Sequence, residues 1–79
     1  MPRVAVDVML KREILDPQGQ AVERALPALG FDGVSDVRVG KHVELVVEGD
    51  RAEDAARRMA EALLANPVVE EFSVRLLEP

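Results

Sequence analysis

One side-chain parity runs unbroken from Val37 to Val47, and it limits this chain's fold more than any other feature. Val37, Val39, Val43, Leu45 and Val47 are all odd-numbered, and the run passes straight through Gly40-Lys41. A two-residue hairpin there would set Val39 opposite His42 and Val37 opposite Glu44, turning apolar and polar residues onto one face. The pattern therefore predicts one long strand over Val34 to Glu48, bent or bulged at Gly40, in preference to a three-residue loop over Gly40, Lys41 and His42. At about 3.3 Å per residue such a strand spans roughly 50 Å, more than a domain of this size covers alone. A second protomer would have to complete the sheet along the overhang.

Chain length sharpens that expectation. The 79 residues allow one domain, 1–79, and a chain this short buries only about 60% of its unfolded surface. Small domains commonly compensate with disulfides, a metal or a partner subunit. There is no cysteine, so disulfides and thiolate metal sites are excluded, and His42 as the only histidine argues against a structural zinc site. Oligomerisation remains.

The other elements follow from periodicity. Val4, Val6, Val8 and Leu10 alternate with Ala5, Asp7, Met9 and Lys11, a half-buried strand. Asp16 is placed to cap a helix that opens on Pro17, where the missing N–H is harmless. Val22, Ala25, Leu26 and Leu29 form its expected inward stripe, Pro27 should kink its last turn, and Gly30 closes it. A second helix is expected after Gly49, with Asp50 as N-cap and Glu53 completing a capping-box arrangement. Ala52, Ala55, Ala56, Met59 and Leu63 are its predicted buried stripe, and Asn66-Pro67 ends it. A last strand over Val68 to Leu77 sets Phe72, Val74 and Leu76 on one face. The class is α+β: a small two-layer sandwich in the order β-α-β(long)-α-β. If the long strand counts as two, this is the ferredoxin-like βαββαβ order.

Composition narrows function by exclusion. Ten Lys+Arg against 15 Asp+Glu give a net charge of −5, which argues against a nucleic-acid partner. Phe31 and Phe72 are the only aromatic rings available for base stacking. No apolar run approaches the roughly 18 residues needed to span a bilayer, and nothing resembles a signal peptide, so a cytoplasmic protein is expected. Nucleophilic catalysis needs a hydroxyl or thiol beside a base. The hydroxyls are Ser35 and Ser73, neither next to His42 in sequence. His42 and Glu44 share a strand face at a spacing that could hold a metal, but a solvated polar face is the better account of them. Glu70 and Glu71 point to opposite faces of a strand and cannot act together. No active site emerges from the residues.

A family pattern does emerge. Leu10-Lys11, Ile14-Leu15-Asp16-Pro17-Gln18-Gly19 and Ala21-Val22 resemble the opening signature of the PurS family, the small subunit of phosphoribosylformylglycinamidine synthase. Leu29-Gly30, Val37-Arg38-Val39-Gly40-Lys41, Glu44-Leu45, Met59, Glu61, Leu63-Leu64-Ala65-Asn66-Pro67-Val68 and Glu70 continue the likeness in order. Pro27 and the short tail after Leu77 depart from it.

The resemblance implies a non-catalytic subunit in purine biosynthesis. Its complex turns formylglycinamide ribonucleotide, glutamine, ATP and water into formylglycinamidine ribonucleotide, glutamate, ADP and phosphate. The implied partners are a glutaminase, a large ATP-dependent synthetase and further copies of the chain, as a homodimer or homotetramer. No cofactor is expected on this subunit, since ATP and magnesium are used by the synthetase. Two partner surfaces are expected: Asp16, Pro17, Gln18 and Gly19 at the first helical turn, and Arg38, Gly40 and Lys41 at the bend. The competing reading is a ferredoxin-like regulatory module that binds a small molecule between protomers.

Overall fold

The computed structural model describes residues 2–78; Met1 and Pro79, the ends of the expected domain, lie outside them. Strand β1 (Arg3–Leu10) is the centre of a three-stranded sheet, with β2 (Lys41–Val46) and β3 (Glu70–Glu78) antiparallel on either side. Helix α1 (Pro17–Ala25) and a 3-10 turn (Pro27–Leu29) connect β1 to β2. Helix α2 (Ala52–Met59), continued by a π turn (Ala60–Leu64), connects β2 to β3. The α+β class and the element order agree with the sequence reading.

Alternation along β1 builds the core. Val4 pairs with Leu45 and Leu76, Val6 with Val43 and Val74, and Val8 with Lys41 and Phe72. Flanked on both sides and covered by α2, the three valines are at most 1% exposed. Burying each contributes about 1.5–3 kcal/mol relative to leaving it in water. Against them α2 presents Ala52, Ala56 and Ala60, all buried at a spacing of four. Their small side chains let the helix lie close to the sheet.

The predicted stripe of this helix needs two corrections. Met59 and Leu63 are exposed, at 42% and 84%. The π turn, in which Ala65 N–H donates to Ala60 O at 2.8 Å, is wider than an α turn and brings Leu64, not Leu63, against the core. The N-terminus also differs. Ala55 N–H reaches the Arg51 carbonyl, so Arg51 is the N-cap and no side chain caps it. The expected Asp50–Glu53 box is not formed, because the helix begins one residue later than it requires.

Topology explains why the two helices behave differently. Strands β2 and β3 run parallel with β1 between them, so α2 must cross the sheet and packs on it: a split βαβ unit, consistent with a ferredoxin-like order. Neighbours β1 and β2 are antiparallel, so their connection need not cross anything, and α1 is carried off the end of the sheet. The molecule measures 48 × 27 × 14 Å with a radius of gyration of 15.7 Å, against about 12 Å for a compact chain of this length. The expected inward stripe of α1 is correspondingly uncovered: Val22 is 42% and Leu29 71% exposed, and only Leu26 is half-buried. Pro27 does more than kink the helix; it ends α1 and starts the 3-10 turn, which Gly30 closes at φ 93°.

The long strand is realised in part. Lys41 and His42 pair with Val8 and Asp7, so the three-residue loop is not formed. The odd-numbered parity also holds, with Val37 and Val39 half-buried, Val43 and Leu45 packed on the core and Val47 buried. The ladder nevertheless covers only Lys41–Val46 of the expected Val34 to Glu48. Pairing with β1 ends at Val8, although β1 itself continues to Leu10, and Gly33 and Asp36 at φ 81° and 56° interrupt the extended backbone upstream.

Candidate functional site

The two expected surfaces meet at one junction, where the Val37–Gly40 segment crosses the first turn of α1. Asp16 is the hinge. Its Oδ1 accepts the Gly19 N–H at 3.1 Å, as the predicted N-cap should, and its Oδ2 accepts the Val39 N–H at 2.7 Å. Those two amides, Val39 foremost and then Gly19, hold its carboxyl below the usual 3.8. Only 4% of Asp16 is exposed, so its role is to tie segment to helix. Glu23 adds a second tie from the next helical turn, accepting the Val37 N–H at 3.1 Å.

The glycines permit the crossing. A Cβ on Gly19 would collide with the Val37 carbonyl oxygen, and one on Gly40 with the Met9 sulfur and the Val8 carbonyl oxygen. Pro17 occupies the first helical position and is exposed. Arg38 turns inward, its Nη2 donating to the carbonyls of Leu10, Lys11 and Ile14 at 3.3, 3.0 and 3.3 Å. It therefore staples the loop leaving β1.

Gln18 and Lys41 remain. They line a cleft of about 200 Å³ with Val8, Leu10, Val39, Gly40 and Glu70. Neither makes a side-chain hydrogen bond or ion pair among the described residues, whereas both Asp16 oxygens and Arg38 Nη2 beside them are bonded. The cleft thus offers one amide, one ammonium and the Glu70 carboxylate around the apolar side chains of Val8, Leu10 and Val39. The Glu23 tie was not anticipated; it depends on the segment folding back over α1, which no local pattern encodes.

The groups weighed for catalysis are arranged differently from any nucleophilic site. His42 and Ser73 are both ladder partners of Asp7, so β1 separates them by two strand spacings, about 9–10 Å. His42 and Glu44 do share a face but bond to one another, Nε2 to Oε2 at 2.9 Å. Among the described residues no three His, Cys, Asp or Glu side chains are grouped to hold a metal ion. Glu70 and Glu71 lie on opposite faces of β3, and Glu70 accepts the Asn66 N–H at 2.6 Å.

Comparison with known proteins gives a consistent picture. The family model for PurS, phosphoribosylformylglycinamidine (FGAM) synthase, matches residues 3–78. The Mycobacterium leprae phosphoribosylformylglycinamidine synthase subunit PurS is 49% identical over 74 residues, 94% of each chain. The structure of Methanocaldococcus jannaschii PurS, one of the subunits of formylglycinamide ribonucleotide amidotransferase in the purine biosynthetic pathway, superposes with a TM-score of 0.89. It is 30% identical, and the match covers 100% of this chain and 99% of that one. A chain in the structure of PurLQS from Thermotoga maritima has a TM-score of 0.84 at 34% identity, with 96% of both chains covered.

Proposed function

The chain belongs to the PurS family, and we propose that, as the small subunit of phosphoribosylformylglycinamidine synthase in purine biosynthesis, it bridges the glutaminase and the ATP-dependent synthetase without chemistry of its own. The observation that carries the reading is the fit to a relative solved inside an assembly, PurLQS, at a TM-score of 0.84 over nearly the whole chain. A purely architectural role is supported by the distribution of reactive groups: the hydroxyl, imidazole and carboxylate side chains are bonded in place or held apart. ATP and magnesium then belong to the synthetase, and the complex is cytoplasmic; no described helix is long and apolar enough to cross a membrane.

Bridging serves ammonia transfer. Ammonia released to bulk water is diluted and protonated, so a subunit that fixes two active sites in a shielded geometry protects its passage. The Gln18–Lys41 cleft is the partner surface within this proposal, with Asp16, Pro17, Gly19, Arg38 and Gly40 shaping it. A second copy of the chain is the natural cover for the apolar arm, where Leu15, Val22, Leu29, Phe31 and Val34 are 42% to 71% exposed. A homodimer or homotetramer would also supply burial that so thin a core lacks.

The test is glutamine-dependent synthesis of formylglycinamidine ribonucleotide by the cognate glutaminase and synthetase, with and without this protein, and with ammonium chloride as a second nitrogen source. A coupling subunit is required for the glutamine-driven rate and not for the ammonia-driven one. If both rates ignore the protein, the proposal fails.

A further inference from the structure

The face of the sheet opposite α2 carries a linked set of charges that the bridging role does not use. It runs across all three strands. Arg3 and Asp7 come from β1, His42 and Glu44 from β2, and Arg75 from β3. Arg75 Nε donates to Asp7 Oδ2 at 3.1 Å, and Asp7 Oδ1 meets His42 Nδ1 at 2.6 Å. His42 Nε2 meets Glu44 Oε2 at 2.9 Å, and Glu44 Oε1 lies 3.5 Å from Arg3 Nη1. Ala5, whose ladder partners are Glu44 and Arg75, is fully buried on this otherwise open face. The charged side chains close over it.

The geometry at His42 favours the doubly protonated ring. An ionised carboxylate only accepts hydrogen bonds, and a neutral imidazole has one N–H and one lone pair. With a carboxylate oxygen at hydrogen-bond distance from each ring nitrogen, both contacts are bonds only if the ring carries two protons. In the neutral ring one carboxylate faces a lone pair at under 3 Å. Remaining charges on this face do not rescue it: Glu71 is one more acid, and Arg3 and Arg75 already hold the outer oxygens of Glu44 and Asp7. The hydrogen bonds from Asp7 foremost and then Glu44 raise the His42 pKa above 6.5, and the same bonds lower the two acids.

We propose that His42 is a proton-dependent clamp on the edge strand β2, tightening its hold on β1 when charged and loosening it when neutral, while the backbone ladder and the core packing of Val43 and Leu45 keep the strand in the sheet. The placement gives the clamp a consequence. His42 directly follows Lys41, the first residue of β2, and the Val37–Gly40 segment leads into it. Loosening β2 therefore relaxes the anchor of the cleft that Gln18 and Lys41 line. This inference stands on the sheet alone and holds whether or not the cleft meets a partner.

A histidine whose folded pKa is raised stabilises fully below its unfolded value and loses that contribution as pH rises through the folded value. The clamp is therefore fully engaged below pH 6.5 and is lost only as pH rises through the raised folded value of His42. Two measurements on the full chain decide the matter. In an NMR titration of the wild-type protein, the His42 ring should titrate above 6.5, and Asp7→Asn or Glu44→Gln should move that midpoint down. Hydrogen-exchange protection factors, compared from about pH 6 to about pH 9, should fall in β2 while those of α2 hold. In His42→Gln, β2 protection should be lower than wild type at the acidic end and independent of pH. A wild-type midpoint at or below 6.5, or β2 protection that does not change with pH, overturns the proposal. The first readout needs no variant to fold.

Discussion

Gly19→Ala is the substitution for which helix propensity and the tertiary structure give opposite answers. Alanine in place of a helical glycine ordinarily stabilises by about 0.5–1 kcal/mol. Here the added Cβ would stand inside the contact distance of the Val37 carbonyl oxygen, 2.6 Å from Asp16 Oδ2 and 2.9 Å from the Val37 carbonyl carbon. Relief needs a movement on the order of 1 Å, and neither side yields easily. The segment is fixed by Val37 N–H to Glu23 and Val39 N–H to Asp16, while the helix turn is fixed by the same Asp16 through Gly19 N–H. Overpacking of this kind costs about 1–3 kcal/mol. The net expectation is a loss of about 1–2 kcal/mol, a fall in melting temperature of about 4–8 °C for each kcal/mol in a domain of this size. Thermal unfolding by circular dichroism at one protein concentration measures it, with Gln20→Ala, on the exposed side of the same turn, as the neutral control. A Gly19→Ala protein as stable as wild type would refute the claim that segment and helix are locked together.

Three further expectations are independent of that one. Val6→Ala removes two methyl groups from a fully buried position between Val43 and Val74 and should lower stability by about 2 kcal/mol or more in urea titrations. The depressed Asp16 carboxyl contributes stability that is present above 3.8 and lost as pH falls through its lower folded value. The margin of wild type over Asp16→Asn in thermal melts should therefore be full near neutral pH and vanish in acid. Gln18→Ala and Lys41→Ala should leave the melting temperature unchanged, because neither side chain is bonded, and should weaken complex formation with the glutaminase and synthetase in calorimetry; unchanged affinity would remove the cleft from the partner surface.

The parts of the molecule legible in the sequence are those in which one element buries a face of its own. The alternation of Val4, Val6 and Val8 specified the central strand, because a strand flanked on both sides must bury that face. Odd-numbered parity through Gly40 excluded the hairpin for a similar reason: a turn there would have moved Val37 and Val39 off the face they share with Val43. Capping by Asp16 was legible as a local signal, yet its second bond, to Val39, was not. Nothing between residues 17 and 38 states that the chain folds back across its own helix start. The inward bonds of Arg38 were illegible for the same reason, since a cation beside a glycine bend gives no sign of three carbonyls on the loop after β1.

The α1 stripe presents the opposite case, a pattern read correctly and placed wrongly. Val22, Leu26 and Leu29 do lie at helical spacing, and the inference that they face a core is sound physics. What the periodicity omits is whose core. The β1–β2 connection joins antiparallel neighbours and gives α1 no reason to cross its own sheet, so the stripe and the unpaired part of the Val34 to Glu48 run both extend beyond the single chain. Two independent sequence signals, one helical and one β, thus point to the same missing surface. A radius of gyration well above the compact value is the physical form of that shortfall. So much apolar arm in water is what the proposed assembly would cover, with a second copy of the chain supplying the missing half of that core.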